Sequence, residues 1–123
     1  MYNKKRILIV EFCPALAQLW KACFEKQGFE VDITSDGLTG LTKAREGLTD
    51  LIILNPMLPR LDGYHICRFL KFDRKYKHIP VIMVSVKKQE NEKQIGTESG
   101  ANEYIFNSFD INKLITTVQK YLV

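Results

Sequence analysis

Four polar residues stand directly after strand-like runs in this chain. Glu11 follows Arg6-Ile7-Leu8-Ile9-Val10, Asn55 follows Leu51-Ile52-Ile53-Leu54, Ser85 follows Pro80-Val81-Ile82-Met83-Val84, and Asn107 follows Glu103 to Phe106. Continuous apolar runs of this length read as strands buried on both faces of a parallel sheet. The carboxyl ends of such strands are where α/β proteins bind ligands and do chemistry. Asn55, after the central run, is a poor reagent: its amide is neutral, weakly nucleophilic, and a weak metal ligand beside a carboxylate. On residue type alone it reads as a strand-end polar residue that satisfies a loop, because only site geometry argues function. Cys13 lies near the same edge, but a redox role would require a depressed thiol pKa. With Cys23 and Cys67 it makes an odd number without Cys-x-x-Cys spacing, which points to free, packed thiols and away from a disulfide framework or a zinc site.

The elements that must position these residues follow from periodicity. Pro14 suits the first turn of a helix, and Leu16, Leu19, Trp20, Cys23 and Phe24 recur at helical spacing up to Gly28. Phe29 to Thr34 alternates as an edge strand does, and Asp36-Gly37 turns the chain. Leu38, Leu41, Ala44 and Leu48 predict the core stripe of a second helix. Asp62 can cap a third, with Ile66, Cys67 and Leu70 inward and Phe69 alongside. Gln89 to Ser99 predicts a weak fourth helix, with one large aliphatic residue, Ile95, and an internal Gly96 that costs about 1 kcal/mol relative to alanine. Asp110 caps a last helix with Ile111, Leu114, Ile115, Val118 and Leu122 inward. Five strands alternating with five helices require right-handed crossovers and a sheet covered on both sides. The solution is a flavodoxin-like (βα)5 doubly wound parallel sheet of order 2-1-3-4-5, with its switch point between the first and third strands. Glu11, Phe12, Asn55, Ser85 and Asn107 then converge on one edge.

The 123 residues suit a single domain over 1–123, and 46% hydrophobic with 26% charged residues is ordinary for a globular protein. The net charge of +4 is spread over Lys4 to Arg6, Lys71 to His78 and Lys87-Lys88, which fall at different ends of that fold, so no basic face for direct nucleic-acid binding is expected. No apolar run approaches the ~20 residues of a membrane span. Neither membrane insertion nor a secretory leader is expected, and the expected location is cytoplasmic.

At this point the chain resembles, end to end, the receiver domain of bacterial two-component response regulators. The residues that carry the resemblance are Ile7-Leu8-Ile9-Val10 before an acidic position, Met57-Leu58-Pro59 with Asp62-Gly63, His78-Ile79-Pro80-Val81-Ile82-Met83, and Gly100-Ala101 with Tyr104-Ile105. The resemblance implies a domain that takes a phosphoryl group from a histidine kinase onto an aspartate, with bound magnesium, and relays a change of shape to partners. By position it places the family's acidic pair on Glu11 and Phe12, its phospho-acceptor on Asn55, its switch residues on Ser85 and Tyr104, its small residue on Val86, and its Lys-Pro on Asn107-Ser108.

Only Glu11 and Ser85 keep the chemistry that transfer needs. A carboxylate must attack, Mg²⁺ takes oxygen ligands, and a lysine must neutralise the phosphoryl oxygens. Asn55 removes the nucleophile, Phe12 a second carboxylate, and Asn107 the charge clamp, while Val86 narrows the approach. Deamidation of Asn55 is no rescue, because Pro56 lacks the N–H that the cyclic intermediate uses. The expectation is therefore a phosphorylation-independent receiver, not an enzyme, holding no metal or other cofactor. It would act through a sensor kinase or a downstream effector. A homodimer through the face of the fourth helix, fifth strand and fifth helix is one arrangement open to it. Two alternatives stand beside this reading: residual phosphotransfer onto Ser85 or Glu11, and a flavodoxin-type electron carrier. Against the latter, Glu11-Phe12-Cys13-Pro14 is no phosphate-binding loop. The Asn107–Ser108 bond is expected to be trans, since Ser108 lacks the tertiary amide that makes cis cheap.

Overall fold

The apolar runs form the inner strands of a five-stranded parallel sheet in the computed structural model, which describes residues 4–85, 98–106 and 110–122. The strands are β1 (Arg6–Val10), β2 (Glu30–Thr34), β3 (Leu51–Leu54), β4 (Val81–Val84) and β5 (Glu103–Ile105), in the order β2-β1-β3-β4-β5. This is the order expected from sequence. β1, β3 and β4 are buried along almost their whole length, as a sheet covered on both faces requires. Val10 pairs with Leu54, and Leu54 with Met83. The three inner strands thus end level, and Glu11, Asn55 and the residues after β4 start from one edge.

Alternation along the strands divides the core into two layers. Ile7, Ile9, Leu51, Ile53, Ile82 and Val84 face α1 (Pro14–Lys26) and the C-terminal helix (Ile111–Leu122). Leu8, Val10, Ile52, Leu54, Val81 and Met83 face α2 (Gly37–Ala44) and α3 (Gly63–Lys71). Burying each such side chain contributes about 1.5–3 kcal/mol. Side-chain caps start three of the helices: Asp36 accepts from the Thr39 amide (2.9 Å), Asp62 from that of His65 (3.0 Å), and Asp110 from that of Lys113 (3.1 Å). Gly28, at φ 94°, ends α1 in the left-handed region that glycine enters at no Cβ cost.

Two helix stripes, those of α1 and α2, differ from those read off the sequence. In α1, Ala17 joins Leu16, Trp20 and Phe24 in the core, Cys23 is half-buried, and Leu19 is exposed. In α2, Leu41 and Ala44 are buried as expected, but Leu38 is exposed, and Leu48 lies beyond the helix and is exposed too. The reason is close packing. A Cβ on Gly40 would come within 2.8 Å of Val10 Cγ1, and one on Gly37 would overlap the Leu61 carbonyl oxygen, so glycines face β1 and the β3–α3 loop where a leucine stripe was expected. In α3, Phe69 is exposed beside the buried Ile66, Cys67 and Leu70. Cys13, Cys23 and Cys67 are free thiols. The fourth helix expected over Gln89 to Ser99 lies outside the described residues except for Glu98 and Ser99, and so does that helix's part of the expected dimer face. Val86, Asn107 and Ser108, with the bond between the last two, also lie outside the described residues.

Candidate functional site

Beyond the level ends of β1 and β3, two side chains from residues 44 apart in sequence meet. Asn55 Nδ2 donates to Glu11 Oε1 at 2.9 Å, and both residues are buried, at 6% and 2% exposure. The second Glu11 oxygen, Oε2, accepts from the Cys13 amide at 2.9 Å, and Asn55 Oδ1 accepts from the Met57 amide at 2.8 Å. The backbone is tied as well: the Asn55 amide donates to the Val10 carbonyl, and that of Glu11 to the Thr34 carbonyl, both at 3.0 Å. These partners settle which way the amide faces. Glu11 as a carboxylate only accepts and the Met57 N–H only donates, so the Asn55 nitrogen must face Glu11 and its oxygen Met57. An aspartate in that place has no proton to offer Glu11 and would set two carboxylates side by side.

Phe12 is half exposed, at 50%, and its ring stands at the rim. It lines two cavities, one of about 530 Å³ with Pro56 to Pro59, Asp62 and Tyr64, and one of about 350 Å³ reaching along α1 past Cys13 to Leu19. Both are walled mainly by apolar side chains. Ser85 is buried after β4, with its amide on the Ile105 carbonyl at 2.9 Å. Tyr104, on β5, is half-buried; its hydroxyl lies 3.2 Å from that of Tyr64, and its ring 5.0 Å from the ring of Phe106. The structure thus brings Glu11, Phe12 and Asn55 together as expected and puts Ser85 on the same edge. The Asn55 side chain bonds to Glu11 and the Met57 amide. Sequence reading missed Cys13 and Met57 as backbone donors, and Tyr64 altogether. An asparagine bonding the amide two residues on is a common turn device, so Asn55-Pro56-Met57 carried a readable signal for one of these bonds.

The magnesium ion that the resemblance implies does not fit these residues. Both Glu11 oxygens already accept from N–H donors, the Asn55 side chain turns a donor toward Glu11, and Phe12 supplies no ligand atom. Among the described residues, no three His, Cys, Asp or Glu side chains stand together as a metal site. Nor, among the described residues, is any helix long and apolar enough to cross a membrane.

A parallel sheet of this order, with its polar cluster beyond β1 and β3, defines a flavodoxin-like receiver. A putative response regulator from Chloroflexus aurantiacus superposes with a TM-score of 0.91 at 27% identity, over 98% of both chains. The receiver domain of a histidine kinase from Syntrophus aciditrophicus superposes at 0.88 with 29% identity, over 96% of this chain and 89% of that one. The chain belongs to the response regulator receiver domain family, whose sequence model matches residues 7–119. The response regulator ArlR of Staphylococcus saprophyticus is 37% identical over 95% of this chain and 52% of its own length. The DNA-binding dual master transcriptional regulator RpaA of Synechocystis sp. is 35% identical over 95% of this chain and 48% of its own. The chain thus spans about half the length of these curated relatives. Membership makes it a receiver domain of two-component signalling.

Proposed function

We propose that this domain is a receiver that signals without being phosphorylated, acting by protein–protein contact and not as an enzyme. The observation that carries the reading is the bond from Asn55 Nδ2 to Glu11 Oε1. At the place the family uses for an attacking carboxylate stands an amide whose N–H donates to the Glu11 carboxylate, satisfying one of its oxygens without a cation. Phe12 at the rim and the apolar walls of both cavities suit a contact surface better than a phosphoryl pocket. The partners in this reading are a sensor kinase or a downstream effector, met in the cytoplasm, with no direct contact to nucleic acid. Incubation with acetyl phosphate and Mg²⁺ followed by intact-mass measurement tests it. The expected result is an unchanged mass. A phosphoryl adduct, whether mapped to Ser85, Glu11 or another residue, would overturn the reading.

A further inference from the structure

The end of α3 and the loop that carries the chain to β4 present cations and phenylalanines to solvent. Arg68 and Phe72, four residues apart, share the outer face of the last turn of α3, with Phe69 beside them, and all three are exposed. Phe72 is 76% exposed, where Phe12 at the rim of the other edge is 50%. Arg74, Lys75 and Lys77 follow in the loop and are exposed as well. Among the described residues, none of these four cations is ion-paired. The acid between them, Asp73, turns its Oδ1 to the Lys75 amide at 2.9 Å. The loop is fixed on the helix. The Lys71 ammonium donates to the Ile79 carbonyl at 2.7 Å and to the Lys77 carbonyl at 3.2 Å, and the Lys77 amide donates to the Asp73 carbonyl at 2.9 Å. The Tyr76 hydroxyl donates to the Arg45 carbonyl at 3.2 Å, which brings the loop beside the exposed Arg45 at the end of α2. As β4 starts at Val81, this face lies at the amino edge of the sheet, opposite Glu11 and Asn55.

We propose that this face seats the domain on an anionic phospholipid surface, with Phe72 and Phe69 in the headgroup layer and Arg68, Arg74, Lys75 and Lys77 on the lipid phosphates. Charge complementarity and the protruding rings carry the assignment. Cations beside an anionic leaflet and aromatic side chains at the headgroup boundary are the two terms of peripheral membrane binding. A ring that stacks on a nucleic-acid base works in a charged groove, whose walls would cover far more of it than Phe72 has covered. An acidic protein would need a pocket cut for each ring, whereas a headgroup layer takes a protruding ring without one. Because the loop is already held by its own hydrogen bonds, little ordering is left to oppose binding. The contact is peripheral and crosses no bilayer. It leaves the edge with Glu11 and Asn55 open to a signalling partner.

Co-sedimentation of the whole chain with phosphatidylcholine vesicles, alone or with about one third phosphatidylserine, tests this. The expected result is binding to the anionic vesicles only, weakening as salt is raised. Arg74→Gln combined with Lys75→Gln should weaken it about thirtyfold, at about fivefold for each cation near the surface. Phe72→Ser, which changes no charge, should weaken it about tenfold. Lys113→Gln removes an exposed charge at the opposite edge and should change binding by less than about twofold. In Phe72→Trp the new emission should shift to the blue when anionic vesicles are added, while Trp20, fully buried, stays constant. Equal binding to phosphatidylcholine alone, an equal loss from Lys113→Gln, or an unmoved Phe72→Trp emission would overturn the proposal. So would no binding to the anionic vesicles; polyuridylate or polyglutamate captured in their place through the same residues would assign the face to RNA or to an acidic protein.

Discussion

Replacing Asn55 by aspartate changes one NH₂ to an oxygen, yet it should be among the more damaging single substitutions in the domain. In the native protein the Asn55 amide donates to the buried Glu11 carboxylate at 2.9 Å. At that separation two unit negative charges repel by about 6 kcal/mol at an effective dielectric of ~20. A bond to a charged group, worth roughly 1.5–3 kcal/mol, is lost as well. Side-chain movement and uptake of one proton relieve much of the repulsion, so the expected net loss is about 3 kcal/mol at neutral pH, as for other uncompensated buried charges. For a domain of this size that lowers Tm by roughly 10 °C. The sign of the pH dependence follows. The folded variant then binds more protons than its unfolded chain near neutrality, so its stability falls as pH rises and recovers toward about pH 5. Millimolar Mg²⁺, by supplying the missing positive charge, should raise the Tm of Asn55→Asp and leave that of the native protein unchanged. Asn55→Ala loses hydrogen bonds without adding charge, and should cost about 1–2 kcal/mol with no response to Mg²⁺. Thermal melts across pH, with and without Mg²⁺, decide the matter. An Asn55→Asp protein as stable as the native one at neutral pH without divalent cations would refute the reasoning, as would a native Tm that rises with Mg²⁺.

Gly63→Ala would bring a Cβ within 2.5 Å of the Asn55 carbonyl oxygen and 2.8 Å of Pro56 Cα; as both are backbone atoms, a loss of about 1–3 kcal/mol is expected, read as a lower urea midpoint at unchanged slope. Of the three free thiols, Cys67 is fully buried and burial pushes its thiol pKa up. Native protein should therefore react with a disulfide reagent at Cys13 and Cys23 only, and a third equivalent without denaturant would contradict the placement. Burial and the Glu103 carboxylate, 2.8 Å from its hydroxyl, push the Tyr121 pKa up to about 12. The folded state keeps that proton where the unfolded chain has released it, so the contribution is complete below about pH 10 and is lost as pH rises toward 12. Absorbance titration of the native protein against Tyr121→Phe measures it.

Much of the fold was legible because its signals are local. Four large apolar residues at Leu51–Leu54, too few for a helix, can be satisfied only inside a sheet covered on both faces, and alternation at Glu30–Thr34 marks an edge. Strand count and crossover handedness then leave few orders, and each of those puts Glu11 and Asn55 on one edge. Helix faces were less legible. Periodicity assigns the largest apolar residues inward, but α2 lies so close on β1 and the β3–α3 loop that Gly37 and Gly40 occupy the inner face and Leu38 is turned out. That distance is set by the partner surface and is nowhere written in the helix. The site divides in the same way. Residue type alone shows that Asn55 cannot be an attacking carboxylate. That its NH₂ faces Glu11 and its oxygen the Met57 amide is decided by a contact across 44 residues together with a turn of two. The hydroxyl pair of Tyr64 and Tyr104 likewise arises only where α3 and β5, separate in sequence, are brought together by the packed sheet between them.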